Sequence, residues 1–287
     1  MPTASRLVWE PRDGRLARRP DELAVEEPLE IRIAGREAEP PTVLTVTMRT
    51  PGHDFELAAG FLLAEGVIDT PGELRGVRYC TDPELDGEQR YNVVTVDLAP
   101  GAASRFFSSG RSGRLTVTSS SCGLCGSASI EALTQAGLVP VPDGARFRLA
   151  SVLSWPERLR DEGQAGFAAT GGLHAAALVS ADGSLLVARE DIGRHNAVDK
   201  VAGWALAEAT AGRLELPAAT AGLVVSGRTS FEILEKAVRL GVPVVAAVSA
   251  ASSLAVKTAE EFGISLLGFV RAGHCTVYSH PERLEES

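Results

Sequence analysis

The sequence predicts an α/β protein in which a small N-terminal α+β domain precedes a larger C-terminal α/β domain. Residues 221–271 alternate between short apolar runs and segments with helical periodicity. The short runs are apolar throughout, which is typical of strands buried on both faces of a parallel sheet. Residues 28–98 instead show strand-like alternation of apolar and polar residues around one helical segment.

The first half of the chain predicts four strands and one helix. Residues 1–27 are polar and charged, and we expect a flexible N-terminus there. Within the N-terminal domain, residues 28–118, strand composition is found in "PLEIRIAG", "TVLTVTMRT", "GVRYC" and "YNVVTVDLA". The helix is expected in "DFELAAGFLLAEG", with Asp54 as its N-cap and Gly66 as its end.

Residues 99–129 are rich in glycine, serine and arginine and predict a linker between the domains. The linker includes a mobile CxxC loop at residues 119–127, and the C-terminal α/β domain occupies residues 128–287. That domain is expected to begin with one helix in "SASIEALTQAG" and another that starts near Pro156. A hairpin around "ADGS" and a helix in "AVDKVAGWALAEA" are expected to follow.

The last part of the chain has the clearest pattern. Strands are expected in "AGLVVS", "VPVVAAVS" and "ISLLGFV", and each of the two segments between them predicts a helix. A strand followed by a helix and a further strand is the repeating unit of a parallel sheet. We therefore expect these strands to be parallel, with the helices as crossover connections.

Composition and charge exclude several classes of function. The 287 residues carry a net charge of -9 at pH 7, so a general affinity for nucleic acid or anionic membranes is not expected. The N-terminus lacks the apolar stretch of a signal peptide, and no apolar run reaches the length of a membrane span. We expect a cytoplasmic protein that binds neither nucleic acid nor a membrane. In that reducing compartment, the four cysteines do not indicate a disulfide framework.

Two loops that follow predicted strands have the composition of phosphate-binding loops. They are "SGRTS" at residues 226–230 and "SAASS" at residues 249–253, and neither has a Walker or dinucleotide glycine pattern. Ligands of parallel α/β sheets gather where such loops lead into helix N-termini, which favour anions. The alternative is that the hydroxyl groups only cap the helices. The candidate binding residues are Ser226, Arg228, Thr229 and Ser249.

The segment "FVRAGH" lies where the last predicted strand ends, beside these two loops. Its arginine and histidine could hold an anion or a polar ring, and its glycine permits close approach of the backbone. Ordinary surface positions for the arginine and the histidine are the alternative. From the residues alone, the candidates in this segment are Arg271, Gly273 and His274.

Charged side chains are concentrated in "REDIGRHNAVDK", residues 189–200. Such a density of charge is found both in functional sites and in solvated networks of salt bridges, and composition does not separate the two. His174, in "TGGLHAA", is expected to have a structural role.

Cys122 and Cys125 form a CxxC pair in the serine- and glycine-rich stretch "SSSCGLCGS". A structural zinc site normally needs four ligands, and the chain has neither a second CxxC nor the HxE signature of zinc deaminases, so zinc is not expected. A thioredoxin-like reductase should carry the pair after an early strand rather than in mid-chain. Sulfur transfer through a persulfide suits a mobile loop. A purely structural loop is the remaining interpretation.

The chain resembles a known family in five motifs that occur in the family's order. They are "SSSCGLCG", "TGGLHAAAL", "REDIGRHNAVDK", "SGRTSFEI" and "LGFVRAGHCTVYSHPERL". This set is similar to the FdhD family, the formate dehydrogenase accessory sulfurtransferases, from about Pro28 to Leu284. The resemblance implies a homodimer and a C-terminal domain similar in fold to cytidine deaminases but without zinc.

The resemblance also implies an activity. Members of this family accept sulfur from a cysteine desulfurase as a persulfide on the CxxC loop. They pass it to the molybdenum of the bis(molybdopterin guanine dinucleotide) cofactor before that cofactor enters the formate dehydrogenase catalytic subunit. By position, Cys122 would carry the persulfide and Cys125 would assist its release.

The resemblance implies that "FVRAGH" is the segment that binds this cargo, whose two guanine nucleotide (GDP-like) halves are bound by the dimer. The binding residues that it implies are Phe269, Val270, Arg271, Ala272, Gly273 and His274. The alternative from another class is a non-catalytic chaperone that binds the molybdenum cofactor and uses its cysteines only for redox control.

Overall fold

The structure, a computed structural model, describes residues 2–34, 40–80, 91–108 and 126–286, except for the side chains of residues 126–129. Over these ranges the strands form a four-stranded sheet, a six-stranded sheet and two small two-stranded sheets. Helices pack between and beside the larger sheets. The architecture is mixed α/β, which confirms the predicted fold class. No helix within the described ranges is both long and apolar enough to cross a membrane.

The N-terminus is an antiparallel hairpin of β1 (Thr3–Arg12) and β2 (Arg15–Ala24). Asp13 and Gly14 form its turn with φ angles of 52° and 73°, as a two-residue type I′ turn requires. We expected a flexible segment over residues 1–27, and the structure instead has these two strands. Their side chains are mostly exposed, which gives the segment the polar composition of a disordered one. The Asp-Gly pair is the turn signal in this part of the sequence.

The N-terminal sheet has the strand order β4-β3-β6-β5. Its members are β3 (Glu27–Ile33), β4 (Thr42–Arg49), β5 (Leu74–Tyr79) and β6 (Val93–Leu98), all expected from the sequence. The pair β3–β6 is parallel, and the other neighbours are antiparallel. Alternate residues of β3 are buried in the same core cluster as the first helix, α1 (Asp54–Ala64). This alternation places the apolar face of the sheet against the core.

The predicted helix α1 is confirmed, but its start differs from the prediction. Its N-cap is His53, which has a left-handed conformation, and Asp54 is the first helical residue. The buried carboxylate of Asp54 accepts two hydrogen bonds from the guanidinium of Arg49, at 3.1 and 3.0 Å. Asp54 therefore pairs with a buried arginine instead of capping the helix, because a buried carboxylate needs a cationic partner. Gly66, with φ 63°, ends the helix as expected.

Two further helices differ from the sequence predictions. α2 (Pro100–Ser108) occupies part of the predicted linker, because Ala102 and Phe106 are one turn apart and both are buried. α3 (Gly126–Gln135) was expected. α4 (Leu149–Gly163) begins at Leu149 and not near Pro156, which lies inside the helix. Burial of its first turns against the sheet offsets the backbone hydrogen bond that Pro156 removes. The short helix α5 (Ala165–Thr170) follows.

The C-terminal sheet has the strand order β13-β12-β11-β10-β8-β9. After β7 (Phe147–Arg148), its strands are β8 (His174–Ser180), β9 (Leu185–Asp191), β10 (Ala221–Val225), β11 (Val244–Ala247), β12 (Ser265–Arg271) and β13 (His274–Ser279). β10, β11 and β12 are parallel, as expected, whereas β8 and β13 pair antiparallel with them. β13 was not predicted. The last strand, β14 (Leu284–Glu285), pairs with β7.

Helices cover both faces of this sheet. α6 (Arg194–Thr210), α7 (Phe231–Leu240) and α8 (Ser253–Glu261) pack on one face, and α4 packs on the other. Along β10, Leu223 and Val225 face the first group and Val224 faces α4. All three residues are buried, which explains why the strand has no polar alternation.

The two halves of the molecule meet at the crossing of α1 and α6. A Cβ atom at Gly60 would lie 1.8 Å from the Asp199 carbonyl oxygen, and one at Gly203 would lie 1.8 Å from the Glu56 carbonyl oxygen. The two helix backbones are therefore in direct contact, which only glycine allows. One continuous apolar core includes residues of both sheets. The C-terminal sheet therefore rests on a core to which both halves of the molecule contribute.

Candidate functional site

The predicted binding segments meet at one edge of the C-terminal sheet. Ser226 follows β10, Ser249 follows β11, and Phe269 lies near the end of β12. The Phe269 N–H donates to the Ser249 carbonyl oxygen at 3.2 Å. The N-termini of α7 and α8 and the start of β8 at His174 lie at the same edge. This is where parallel α/β sheets bind ligands.

Two of the predicted phosphate-loop residues have structural roles. The Ser226 hydroxyl accepts the Ala175 N–H at 2.9 Å, which ties β8 to β10. The Thr229 N–H donates to Ala250 at 3.1 Å, and its buried hydroxyl makes no hydrogen bond within the described chain. Ser252, which was not a candidate, caps α8 by accepting the Ala255 N–H at 3.2 Å. The capping alternative therefore accounts for part of these loops.

The arginine side chains at this edge indicate the charge of the ligand more clearly than the hydroxyl groups do. Arg228 and Arg271 are exposed, and neither guanidinium group makes a hydrogen bond or ion pair with a described residue. Arg160 of α4 is also exposed, and its guanidinium group has no partner among the described residues. The buried Nε of Arg194 has no hydrogen-bond partner in the described part of the chain. These four arginines concentrate positive charge at one edge of a chain whose net charge is -9, which suits a polyanionic ligand.

The "FVRAGH" residues form a hairpin, and four of them line the first of two neighbouring cavities. Ala272 and Gly273 turn the chain between β12 and β13, and Gly273 has φ 70°. Phe269 is 41% exposed and has the unusual φ of 52°. His274 is exposed and lies outside the cavity lining. The first cavity, of about 390 Å³, is lined by Phe269, Val270, Arg271, Ala272, Val248, Pro156, Glu157 and Arg160.

A second cavity, of about 330 Å³, lies on the other side of Pro156, Arg160 and Val248, which line both cavities. Its remaining lining is Gln164, Phe167, Gly171, Gly172, Leu173, His174 and Ser226. Burial and the positive charge of Arg194 lower the pKa of His174, so its imidazole is mainly neutral at pH 7. The two cavities together form a groove along α4, called here the α4 groove.

Comparison with known proteins assigns the family. The sequence profile of the FdhD/NarQ family matches residues 24–285. This chain belongs to the FdhD/NarQ family. It is 47% identical over 283 residues to the sulfur carrier protein FdhD of Mycolicibacterium paratuberculosis, with 98% of each chain covered. It is 47% identical to the protein of that name from Streptomyces coelicolor, with 98% of this chain and 95% of the relative covered.

The fold of this chain is also found in a solved structure. The crystal structure of a candidate formate dehydrogenase accessory protein from Desulfotalea psychrophila superposes with a TM-score of 0.71. The two sequences are 22% identical, and 99% of each chain is covered. At this level of identity the similarity establishes a common fold over the whole length of both chains.

In this FdhD/NarQ chain the segment "REDIGRHNAVDK" is chiefly a structural network, and it is buried rather than solvated. The Arg189 guanidinium makes two hydrogen bonds to Glu56 of α1, at 2.5 and 2.7 Å. The Lys200 ammonium lies 2.8 Å from the Asp191 carboxylate, and both side chains are buried. The Glu190 carboxylate accepts the N–H groups at the start of α5. These contacts join the two halves behind the site.

His195 and Arg194 are the residues of this segment that lie at the binding edge. The His195 Nε2 atom lies 3.0 Å from the Glu232 carboxylate at the start of α7. A hydrogen bond from His195 lowers the pKa of Glu232 below its usual value of 4.5. The sequence did not point to Arg160 or Gln164, because neither the helical period around Arg160 nor the position of Gln164 after the last residue of α4 shows which residues border a groove. Only the packing of α4 across the sheet brings them to the site.

The cysteine pair, Cys122 and Cys125, lies outside the described residues, as does most of the predicted CxxC loop. The pair directly precedes α3. The described cysteines are Cys80 and Cys275, both free thiols. Burial raises the pKa of Cys275, which lowers its thiolate content and its reactivity. In the part of the chain that the structure describes, no three His, Cys, Asp or Glu side chains are grouped for metal binding; the prediction of no zinc stays a prediction.

Proposed function

We propose that this chain is a sulfurtransferase that supplies sulfur to the molybdenum cofactor of formate dehydrogenase. The observation that carries the proposal is the near full-length match, at 47% identity, to curated proteins named sulfur carrier protein FdhD. The relative of known structure is described as a formate dehydrogenase accessory protein. The "SSSCGLCGS" motif with its two thiols supplies the chemical groups that such a carrier needs.

The loading step is thiol exchange. The Cys122 thiolate attacks the outer sulfur of a persulfide on a cysteine desulfurase. An S–S bond forms between Cys122 and that sulfur, and the bond to the desulfurase cysteine breaks, so the latter leaves as a thiol. Cys122 is then a persulfide. A cysteine in a small, polar setting directly before a helix suits this nucleophilic role.

The delivery step uses the second thiol. Cys125 attacks the inner sulfur of the Cys122 persulfide, so that a Cys122–Cys125 disulfide forms and the outer sulfur leaves as hydrogen sulfide. The two cysteine thiols, which are oxidised to the disulfide, supply the two electrons that reduce the outer sulfur to sulfide. At molybdenum the sulfide replaces an oxygen ligand, which leaves as water. A cellular thiol then reduces the disulfide for the next cycle.

The cargo, bis(molybdopterin guanine dinucleotide), is proposed to bind in the α4 groove. Its phosphates would lie near Arg160 and Arg271, which line the groove and whose guanidinium groups have no other partner among the described residues. Arg228 lines neither cavity and would reach the phosphates from the loop after β10. Each cavity of the groove has the size of a small-molecule site. Action as a cytoplasmic homodimer and the cytidine-deaminase-like character of the C-terminal domain belong to the same proposal.

Mass spectrometry tests the loading step. After incubation with a cysteine desulfurase and cysteine, we expect a mass increase of about 32 Da, one sulfur atom, on the peptide that contains Cys122. The Cys122→Ala variant should lose this adduct, and the Cys80→Ala variant, which keeps the pair, should retain it. An adduct confined to Cys125 would reverse the two roles.

Formate dehydrogenase activity in cells separates the sulfurtransferase from a cofactor chaperone. The Cys122→Ala variant should abolish the activity while the chain still binds the cofactor. Full activity with Cys122→Ala would show that the chain only binds and delivers the cofactor. Cys80→Ala controls for general effects of removing a cysteine.

A further inference from the structure

The hairpin of β1 and β2 has no role in the proposed sulfur transfer. The FdhD/NarQ profile begins at residue 24, so nearly all of the hairpin precedes the matched segment. Its ten residue pairs form a separate two-stranded sheet that joins neither of the larger sheets. Its strand β2 contacts α5 of the body. A two-stranded hairpin has little stability of its own in water and gains stability by packing against another surface.

One face of the hairpin is apolar and exposed. Cross-strand pairing places Trp9 opposite Arg18, and alternate residues of each strand share a face. Leu7 is 66% exposed, Trp9 57% and Leu16 66%. The Arg18 guanidinium carbon lies 4.6 Å from the centre of the Trp9 ring, a cation–π contact. This surface, called here the arm face, comprises Leu7, Trp9, Pro11, Leu16, Arg18 and Pro20.

The composition of the hairpin indicates what kind of surface covers it. Tryptophan and arginine are enriched in protein–protein interfaces, and adjoining exposed apolar side chains mark such interfaces. Residues 6–19 hold five arginines and two acidic residues, a net charge of +3, which leaves -12 on the rest of a chain whose total is -9. The covering surface should therefore be acidic and partly apolar. The body of a second copy of this chain has this charge.

The N-terminal sheet has an exposed apolar surface on its edge strand, β4. Val46 is 42% exposed and Met48 is 48% exposed. Met48 pairs with the exposed Pro28 of β3, so the three side chains are neighbours on the outer face of the sheet. They are called here the β4 patch. Because the arm face and the β4 patch are both exposed, neither covers the other within one chain.

The area of the arm is sufficient for a stable dimer. Ten residues at about 3.3 Å each make the arm about 33 Å long, and two neighbouring strands make it about 10 Å wide. One arm face therefore covers about 330 Å² of the other chain. In a symmetric dimer two arms are used, so the total buried area is about 1,300 Å², within the range of stable interfaces.

We propose that the hairpin is an arm that packs its arm face on the β4 patch of a second copy of this chain. Two such contacts, related by a twofold axis, hold the dimer together. The inference rests on the homodimer that belongs to the proposed function, and it assigns a contact surface to that dimer.

Sedimentation velocity of the full-length chain tests the arm. We expect the unchanged chain to dimerise in the micromolar range. Trp9→Glu and Met48→Lys should each raise the dissociation constant of the dimer by about tenfold or more. The first removes a buried aromatic anchor, and the second places a cation opposite the arginines of the arm.

Val139→Lys is the matched control, because Val139 is 72% exposed but lies in neither surface. Its dimer should be as tight as that of the unchanged chain. Circular dichroism should show that all three variants are folded, since the substituted positions are exposed.

Mixing two variants shows whether the contact is made between chains. In a heterodimer of Trp9→Glu and Met48→Lys, the new carboxylate meets the new ammonium group at one contact. The other contact keeps Trp9 and Met48 unchanged. The mixture should therefore dimerise more tightly than either variant alone.

The proposal is overturned if the unchanged chain is monomeric in the micromolar range, or if Trp9→Glu dimerises as tightly as Val139→Lys. It is also overturned if the mixture dimerises no more tightly than the separate variants. Loading of Cys122 with sulfur is measured on the single chain. A monomer that loads sulfur would overturn the arm alone, and a dimer without the Cys122 adduct would overturn the sulfurtransferase alone, so the two failures are distinguishable.

Discussion

The Lys200 Nζ atom lies 2.8 Å from the Asp191 carboxylate in the interior of the protein, where the two side chains are 1% and 0% exposed. Lys200 also donates to the carbonyl oxygen of Thr50, at 2.9 Å. Asp191 accepts the backbone N–H of Thr50 at 3.1 Å. The pair therefore connects α6 and β9 to the segment that follows β4, and it holds the N-terminal half against the sheet that carries the α4 groove.

Removal of one partner of this pair should destabilise the protein strongly. We expect Lys200→Met or Asp191→Asn to reduce the free energy of unfolding by about 3–5 kcal/mol, because the remaining partner stays buried without its counter-charge. The exposed pair of Arg213 and Glu208 is the control, and Arg213→Gln should cost less than about 1 kcal/mol. Urea denaturation measures both. A loss of similar size in the two cases would contradict the structural role of the buried pair.

The crossing of α1 and α6 should not tolerate a methyl group. A Cβ atom at Gly60 or Gly203 would lie 1.8 Å from a backbone carbonyl oxygen of the other helix. We expect Gly60→Ala or Gly203→Ala to cost more than about 3 kcal/mol, since the helices must move apart. Gly101→Ala in α2 meets no atom within 4 Å and should cost nothing. Thermal unfolding compares the three, and equal melting temperatures would contradict the close helix crossing.

Acid should weaken the contact between Glu56 and Arg189. Burial alone would raise the pKa of Glu56, but hydrogen bonds from Arg189 and His53 bring the pKa below its ordinary value of 4.5. As the pH falls, Glu56 therefore takes up a proton at a higher pH in the unfolded chain than in the folded one. The stabilisation is complete above pH 4.5 and is lost as the pH falls through the folded-state pKa.

The Glu56→Gln variant isolates this contribution. Its free energy of unfolding should lie below that of the unchanged chain near neutral pH, and the gap should narrow as the pH falls below 4.5. Denaturation at a series of pH values measures the gap. Glu215→Gln, at an exposed position, should leave the pH dependence unchanged. A gap that stays constant in acid would show that the loss with Gln is not electrostatic.

The backbone at Phe269 should prefer glycine, because its φ angle is positive. Phe269 has φ 52°, a conformation that costs a non-glycine residue about 1–2 kcal/mol. We expect Phe269→Gly to be more stable than Phe269→Leu, which keeps the strain and loses the ring. Both variants should bind GDP more weakly if the ring lines the cofactor cavity. Denaturation and calorimetry give the two readouts, and a Leu variant more stable than the Gly variant would show that the backbone conformation is not strained.

Much of the fold could be predicted from local patterns. The three parallel strands, their crossover helices and the four strands of the N-terminal sheet follow from periods of two and 3.6 residues in the chain. Where the predicted elements differ from the structure, the reason lies in the segment concerned. The hairpin of residues 3–24 exposes most of its side chains and so lacks a core pattern, and α4 continues through Pro156 because its buried face holds it against the sheet.

The site was predictable only in part. The loops after β10 and β11 and the "FVRAGH" segment were expected at one edge, because the ends of parallel strands meet there. The roles within these loops were not predictable. The Ser226 hydroxyl bonds to the backbone of β8, and the Thr229 N–H bonds to the loop that contains Ala250. Whether a serine binds a ligand or a backbone amide depends on which groups lie near it in space.

The sequence by itself determined the family, the α/β class and the position of the thiol pair, since these depend on residue identity and on spacing along the chain. Only the tertiary structure decided which residues face each other across the groove. It places Arg160, Gln164 and Phe167 opposite the ends of β10 and β12, and it buries most of the charged segment 189–200 as an internal support. The physical reason is that burial, free hydrogen-bonding groups and unpaired charges depend on contacts between residues distant in sequence.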